Sequence, residues 1–155
     1  LTHLHIDHIS GVHDLPNTTT LFAGPNETDA RRFVHLFAQS TYDRQLKGKP
    51  AIRTLEFGRD PSGRFEGIID VFGDGSLWAI WSPGHTPGSM AFLVRSTKGP
   101  VLVTGDVCHT RWAWEHGVES GEYTMDHEAH AASLSKLRAL VAQFPSIDVR
   151  LGHQR

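Results

Sequence analysis

The apolar positions fall in short alternating runs rather than long helical stripes, and they divide the chain into strands with two helices between them. Leu1 to Leu4 and Thr18 to Ala23 read as strands, the second closed by Gly24-Pro25. Ala30, Phe33, Val34 and Phe37 recur at helical spacing and predict a helix from about Glu27 to Gln39, with Asn26 as its N-cap. Ser40 to Pro50 is mostly polar and predicts an exposed loop, followed by a short strand from Ala51 to Phe57 and a turn from Gly58 to Gly63. A meander follows. Its strands are Ile68 to Phe72, Leu77 to Trp81, Met90 to Val94 and Val101 to Thr104, with turn signals at Asp74-Gly75 and Lys98-Gly99. A loop rich in Trp, Gly and His spans roughly Asp106 to Tyr123. Asp126 to Phe144 then forms the second helix, with Leu134, Leu137, Leu140 and Val141 on one face. Pro145 ends it, and Ile147, Val149 and Leu151 alternate as a closing strand. No internal repeat or low-complexity tract interrupts this α/β order.

The 155 residues make one domain, and 39% hydrophobic residues suffice for a real core. Fifteen basic against 17 acidic residues give a net charge of −2, which lacks the basic excess expected of a chain that binds nucleic acid or anionic membrane. No apolar run reaches the length of a membrane span. The expected partner is a small molecule, and the pattern carries no signal for oligomeric state. One cysteine, Cys108, leaves nothing that needs an oxidising compartment, so a cytoplasmic location is expected. The chain opens on Leu1 and a strand end, and it stops just after another strand. It reads as a segment of a longer protein, truncated at the N-terminus and at the C-terminus. Eleven histidines beside 17 carboxylates turn attention to metal chemistry.

Four candidate ligands, His3, His5, Asp7 and His8, lie within six residues. Two positions apart on a strand, His3 and His5 project to one side and can share a cation. A turn after His5 can aim Asp7 and His8 at a neighbouring cation, and paired metals roughly 3.5–4 Å apart are a known hydrolytic device. Three later strands each end on a glycine and then a ligand type: Gly84-His85, Gly105-Asp106 and Gly152-His153. Any one of these reads equally well as a polar turn residue. Three together with the opening cluster point to a shared centre. Cys108 reads as a small buried residue. Trp112, Trp114 and Tyr123 either line an apolar pocket or pack their loop onto the core. His127 and His130 are expected on a solvated helix face, and His13, His35 and His116 carry no assigned role.

These motifs, H-L-H-I-D-H at His3 to His8, P-G-H-T-P-G-S around His85, T-G-D at Asp106 and L-G-H at His153, resemble those of the metallo-β-lactamase fold hydrolases. The resemblance spans nearly the whole chain. It implies an αβ/βα sandwich lacking its N-terminal strands. It also implies that His3, His5 and His85 hold one divalent metal, that Asp7, His8 and His153 hold a second, and that Asp106 bridges them. Zinc is the first expectation, with iron or manganese compatible with the same ligands. The implied activity is that of a dinuclear hydrolase, in which a metal-bridging hydroxide attacks a small ester, lactone or thioester and Asp7 or Asp106 handles the proton. Zinc β-lactamases usually carry Cys or Ser where Asp106 stands, so the ligand set resembles the glyoxalase II and lactonase branch more closely. Lactonases often place a tyrosine three residues after the bridging aspartate. This chain has His109 there, which either donates a hydrogen bond to the leaving oxygen or points to solvent. Persulfide dioxygenases share the fold and use part of the ligand set, which makes a mononuclear iron oxidoreductase the alternative.

Overall fold

In a computed structural model, which describes residues 1–34 and 39–154, five strands form one sheet in chain order. They are β3 (Gly67–Asp70), β4 (Leu77–Trp81), β5 (Met90–Ser96), β6 (Gly99–Val103) and β7 (Asp148–Arg150). The first four pair antiparallel, as short hairpin links require, while β7 lies parallel to β6. Turn chemistry sets the first hairpin. The Asp70 carboxylate accepts the N–H of Gly73 (3.1 Å) and of Gly75 (2.7 Å), and both glycines take positive φ, at 73° and 72°.

The parallel return to β7 needs a crossover, and the chain supplies α4 (Arg111–His116) and α5 (His127–Gln143). Thr110 caps α4 by accepting from Ala113 N–H, and Asp126 caps α5 by accepting from Ala129 N–H. One face of α5 buries Leu134, Leu137 and Leu140 against Ile80, Ala91, Leu102 and Val149 of the sheet. Each such leucine contributes roughly 1.5–3 kcal/mol of burial.

A second, smaller core holds Leu4, Ile9, Val12, Leu21 and Tyr42. It packs α1 (Ile6–Ile9) and α3 (Gln39–Leu46) beside a two-stranded parallel pair, β1 (Phe22–Ala23) and β2 (Arg53–Thr54). The eight-residue helix α2 (Glu27–Val34) follows β1. Here the structure departs from the sequence pattern. Ser40 to Pro50 is not a loop, because fully buried Tyr42 and its i+4 neighbour Leu46 fold α3 onto this core. The expected strands at Thr18 to Ala23 and Ala51 to Phe57 shrink to the two-residue pieces that find partners. Leu1 to Leu4 forms no strand, since its ties to the sheets are single bonds such as Met90 N–H to Thr2 O (2.9 Å) and Leu1 N to Phe22 O (2.9 Å). Asn26 takes φ 61° rather than the extended backbone of an N-cap. Residues 35–38 of the first predicted helix, with Phe37 and His35, lie outside the described residues. Among the described residues no helix is long and apolar enough to cross a membrane.

Candidate metal centre

His85, Asp106 and His153 come to one end of the sheet because each sits just past a strand, and His3, His5, Asp7 and His8 join them from the segment that leads into and through α1. His5 stays extended at φ −67°, ψ 152°, and α1 begins at the next residue, so the chain turns between the His3/His5 pair and the Asp7/His8 pair. The Thr2 hydroxyl lies 3.3 Å from His3 Nδ1 and 3.1 Å from His8 Nδ1, which orients both rings with Nε2 toward the centre. His85 occupies the bend between β4 and β5. Gly84 starts that bend at φ 134°, and a Cβ there would stand 2.2 Å from the His130 backbone nitrogen. Asp106 follows β6 in a single 3-10 turn, Gly105–Val107. His153 follows β7, tied by its N–H to the His109 carbonyl at 3.2 Å.

Two ligand groups result: His3, His5, His85 and Asp106, and Asp7, His8, Asp106 and His153, each with its ligand atoms within 4.8 Å of one another. Asp106 belongs to both. Its Oδ1 lies 3.1 Å from His8 Nε2, and its Oδ2 lies 3.1 Å from His153 Nε2 and 3.5 Å from His85 Nε2. Across the first group His85 Nε2 stands 3.0 Å from His5 Nδ1. In the second, Asp7 Oδ2 is 3.3 Å from His8 Nε2 and 3.4 Å from His153 Nε2.

The residues fit a pair of divalent cations. His3 Nε2 is buried without a hydrogen-bond partner, a state that costs about 1–3 kcal/mol if nothing satisfies it. Burial, then the neighbouring His8 and His5, hold the His3 pKa far below the ordinary imidazole range. His85 is lowered to about 3, by burial first and His5 next. Burial opposes ionisation of Asp106, yet hydrogen bonds from His109 and His8 outweigh it and keep the carboxyl ionised far below the usual range. Burial likewise opposes the charged form of His8, but its hydrogen bond and attraction to Asp106 raise its pKa. Neutral His3 and His85 beside an ionised Asp106 are the protonation states that metal ligation requires, and a cation in place of the proton at His8 would meet the same carboxylate. Mixed nitrogen and oxygen donors suit divalent metals of intermediate softness.

A cleft of about 260 Å³ opens beside the ligands, and Ile6, Tyr42, His109 and Tyr123 complete its wall. His109 Nε2 is 3.1 Å from Asp106 Oδ2, so the histidine in the tyrosine position does face the centre. Of the loop aromatics only Tyr123 reaches the cleft. Trp114 packs into the main core, and exposed Trp112 stacks on His116. Cys108 is buried, as expected.

Two residues escaped the sequence pattern. His130 is not on a solvated face: it is fully buried, with Nδ1 2.9 Å from Thr124 Oγ1 and Nε2 3.0 Å from the Val107 carbonyl, whereas His127 is exposed. A signal was available, because His130 precedes Leu134 and Leu137 by four and seven positions and so shares their stripe. Glu27 is buried too. Its carboxylate accepts from Leu4 N–H (2.7 Å), Thr86 Oγ1 (2.6 Å) and Gly88 N–H (3.0 Å), joining the segment between His3 and His5 to the bend that carries His85.

Residues 1–151 match the family described as the Metallo-beta-lactamase superfamily. An N-acyl homoserine lactonase AttM from Azorhizobium caulinodans is 32% identical over 153 residues, which is 98% of this chain and 56% of that protein. The chain thus spans about half the length of the curated relatives it matches. Among solved structures, an N-acyl homoserine lactone hydrolase with N-hexanoyl-L-homoserine bound at its catalytic metal centre superposes with a TM-score of 0.74 at 21% identity, covering 98% of this chain and 53% of that one. AidC, a dizinc quorum-quenching lactonase, superposes at 0.63 with 18% identity, covering 96% and 55%. These likenesses establish the fold that the sequence motifs implied.

Proposed function

The chain belongs to the metallo-beta-lactamase superfamily, and on that premise we propose that it is the metal-binding part of a dinuclear hydrolase that opens small lactones or related esters. The observation that supports this most is the pair of ligand groups meeting at Asp106 beside a cleft with apolar walls. His3, His5 and His85 would hold one cation, Asp7, His8 and His153 the other, and Asp106 both. Zinc is the metal we infer, given the dizinc relative. Bound cations supply Lewis acidity toward a carbonyl and a water acidic enough to ionise near neutral pH.

The chain's own residues do the rest. Asp106 holds its charge between both groups. Asp7 is about half exposed at the mouth of the centre, where its carboxylate can orient or accept a proton as water attacks. Ile6 and Tyr123 offer surface to an acyl chain, which agrees with the acyl-lactone substrates named for the relatives. His109, whose Nε2 lies 3.1 Å from Asp106 Oδ2, would donate a hydrogen bond to the departing ring oxygen. A mononuclear iron oxidoreductase is not favoured, because the second ligand group is complete.

The test is metal analysis and turnover of the protein with His5→Ala and Asp106→Ala, on a panel of acyl lactones, thioesters and phosphodiesters. Two metals per chain and lactone opening, both lost in the variants, are expected. Full activity in both variants would overturn the assignment.

A further inference from the structure

We propose that Thr124 and His130 act as positioning residues that fix the His85 ring in the tautomer able to bind a cation; this rests on the reading of His85 as a ligand. The argument begins at the far end of the chain of contacts. The Val107 carbonyl lies 3.0 Å from His130 Nε2 and can only accept, so the ring proton of neutral His130 resides on Nε2. Nδ1 then carries a lone pair. Thr124 Oγ1, 2.9 Å away, is the hydroxyl that donates to it.

A hydroxyl that has given its proton one way turns its lone pairs the other way, and at 3.5 Å stands His85 Nδ1. His85 therefore keeps its proton on Nδ1 and points a free lone pair from Nε2 into the centre, where His5 Nδ1 lies 3.0 Å away. Reversing any link would put a proton on His85 Nε2 and close that coordination position. Buried surroundings protect the direction of the relay, since His85, Thr124 and His130 are only 1%, 8% and 0% exposed and water has little access to replace a link.

Glu119 is the other group at His130. Its Oε2 is 3.2 Å from Nδ1, farther than the Thr124 hydroxyl, and its Oε1 is taken by His127 Nδ1 at 2.5 Å. The backbone reinforces the placement, because Met125 N–H donates to the His85 carbonyl (3.2 Å) and Asp126 N–H to the Gly84 carbonyl (2.9 Å). The segment with Thr124 is thus stitched to the bend with His85, and α5 starts from the same stitch.

The experiment compares Thr124→Val, which keeps the side-chain shape and removes the hydroxyl, with Thr124→Ser, which restores it. Stepwise Zn²⁺ affinities of the metal-free protein are measured by competition with a chromophoric chelator, and the visible spectrum of the Co²⁺-loaded protein is recorded. Thr124→Val is expected to weaken one of the two binding steps by about tenfold or more and to change the Co²⁺ bands, with the other step unmoved and Thr124→Ser close to wild type. Equal weakening of both steps in Thr124→Val, no weakening, or no recovery in Thr124→Ser would each overturn the relay. Failure of the wild-type protein to bind two Zn²⁺ would instead overturn the ligand assignment beneath it.

Discussion

Replacing Gly152 by Ala should damage the centre without replacing any proposed ligand. A Cβ at this position would lie 2.3 Å from Asp106 Oδ1 and 2.7 Å from the Gly105 carbonyl oxygen. Ordinary contact begins near 3.4 Å, so about 1 Å of movement is needed. The neighbours resist it. Gly152 N–H is bonded to the Cys108 carbonyl at 3.0 Å and His153 N–H to the His109 carbonyl at 3.2 Å, while Asp106 Oδ1 is engaged by His8 Nε2 at 3.1 Å. Overpacking of this kind costs about 1–3 kcal/mol. The yielding group is the Asp106 side chain, and a misplacement of about 1 Å in a catalytic group can cost about 100-fold in rate. Lactone hydrolysis, metal stoichiometry and thermal melting of Gly152→Ala should show a large fall in kcat and weaker metal binding, with a melting shift of only a few degrees. Wild-type turnover and metal affinity in this variant would refute the claim that Gly152 exists to make room for Asp106.

Glu27→Ala should destabilise the protein by about 2 kcal/mol or more, read by denaturant unfolding, because it strands the two buried N–H donors of Leu4 and Gly88, while the Thr86 hydroxyl keeps Ser89 Oγ at 2.8 Å. The metal-free protein should lose stability as pH falls from about 6.5 toward 3: His3, His85 and His130 have lowered folded pKa values, so the unfolded chain binds more protons there, and the raised His8 offsets only part of it. Melting temperatures across that range, with a flat or rising trend as the contrary result, check the sign. His109→Phe should keep two metals per chain by elemental analysis and lower kcat about tenfold or more, since a single general-acid or hydrogen-bonding group is worth about that much.

The convergence of the candidate ligands was legible in the sequence because three of them follow strands with strong signals and the other four stand within six residues. Apolar runs ending in Gly84, Gly105 and Gly152 placed His85, Asp106 and His153 at one end of the sheet, and the Asp74-Gly75 and Lys98-Gly99 turns fixed how four of the strands pair in two hairpins. What supports the ligands was harder to see. Helix α3 has two core residues, Tyr42 and Leu46, and its remaining positions are polar, so only tertiary burial declares it helical. Glu27 stands in the first turn of α2, where an acid ordinarily faces solvent beside the helix dipole. Its partners come from Leu4 and the bend at Thr86 and Gly88, distant in sequence, and no local pattern announces them.

One arrangement of the strands has a bearing on how the protein is made. Asp7 and His8 are synthesised early and His153 late, and β7, which delivers His153, joins the sheet only after α4 and α5 have crossed over. During translation the early histidines can meet a cation long before the last coordination position exists. On the proposed ligand assignment, high-affinity capture would wait for the closing strand, and folding would meet the entropic cost of joining such distant segments before the ion arrives. A metal bound by both groups would fasten the early and late parts of the chain to each other like a removable clip, so that peeling away β7 and releasing the ion would become a single event.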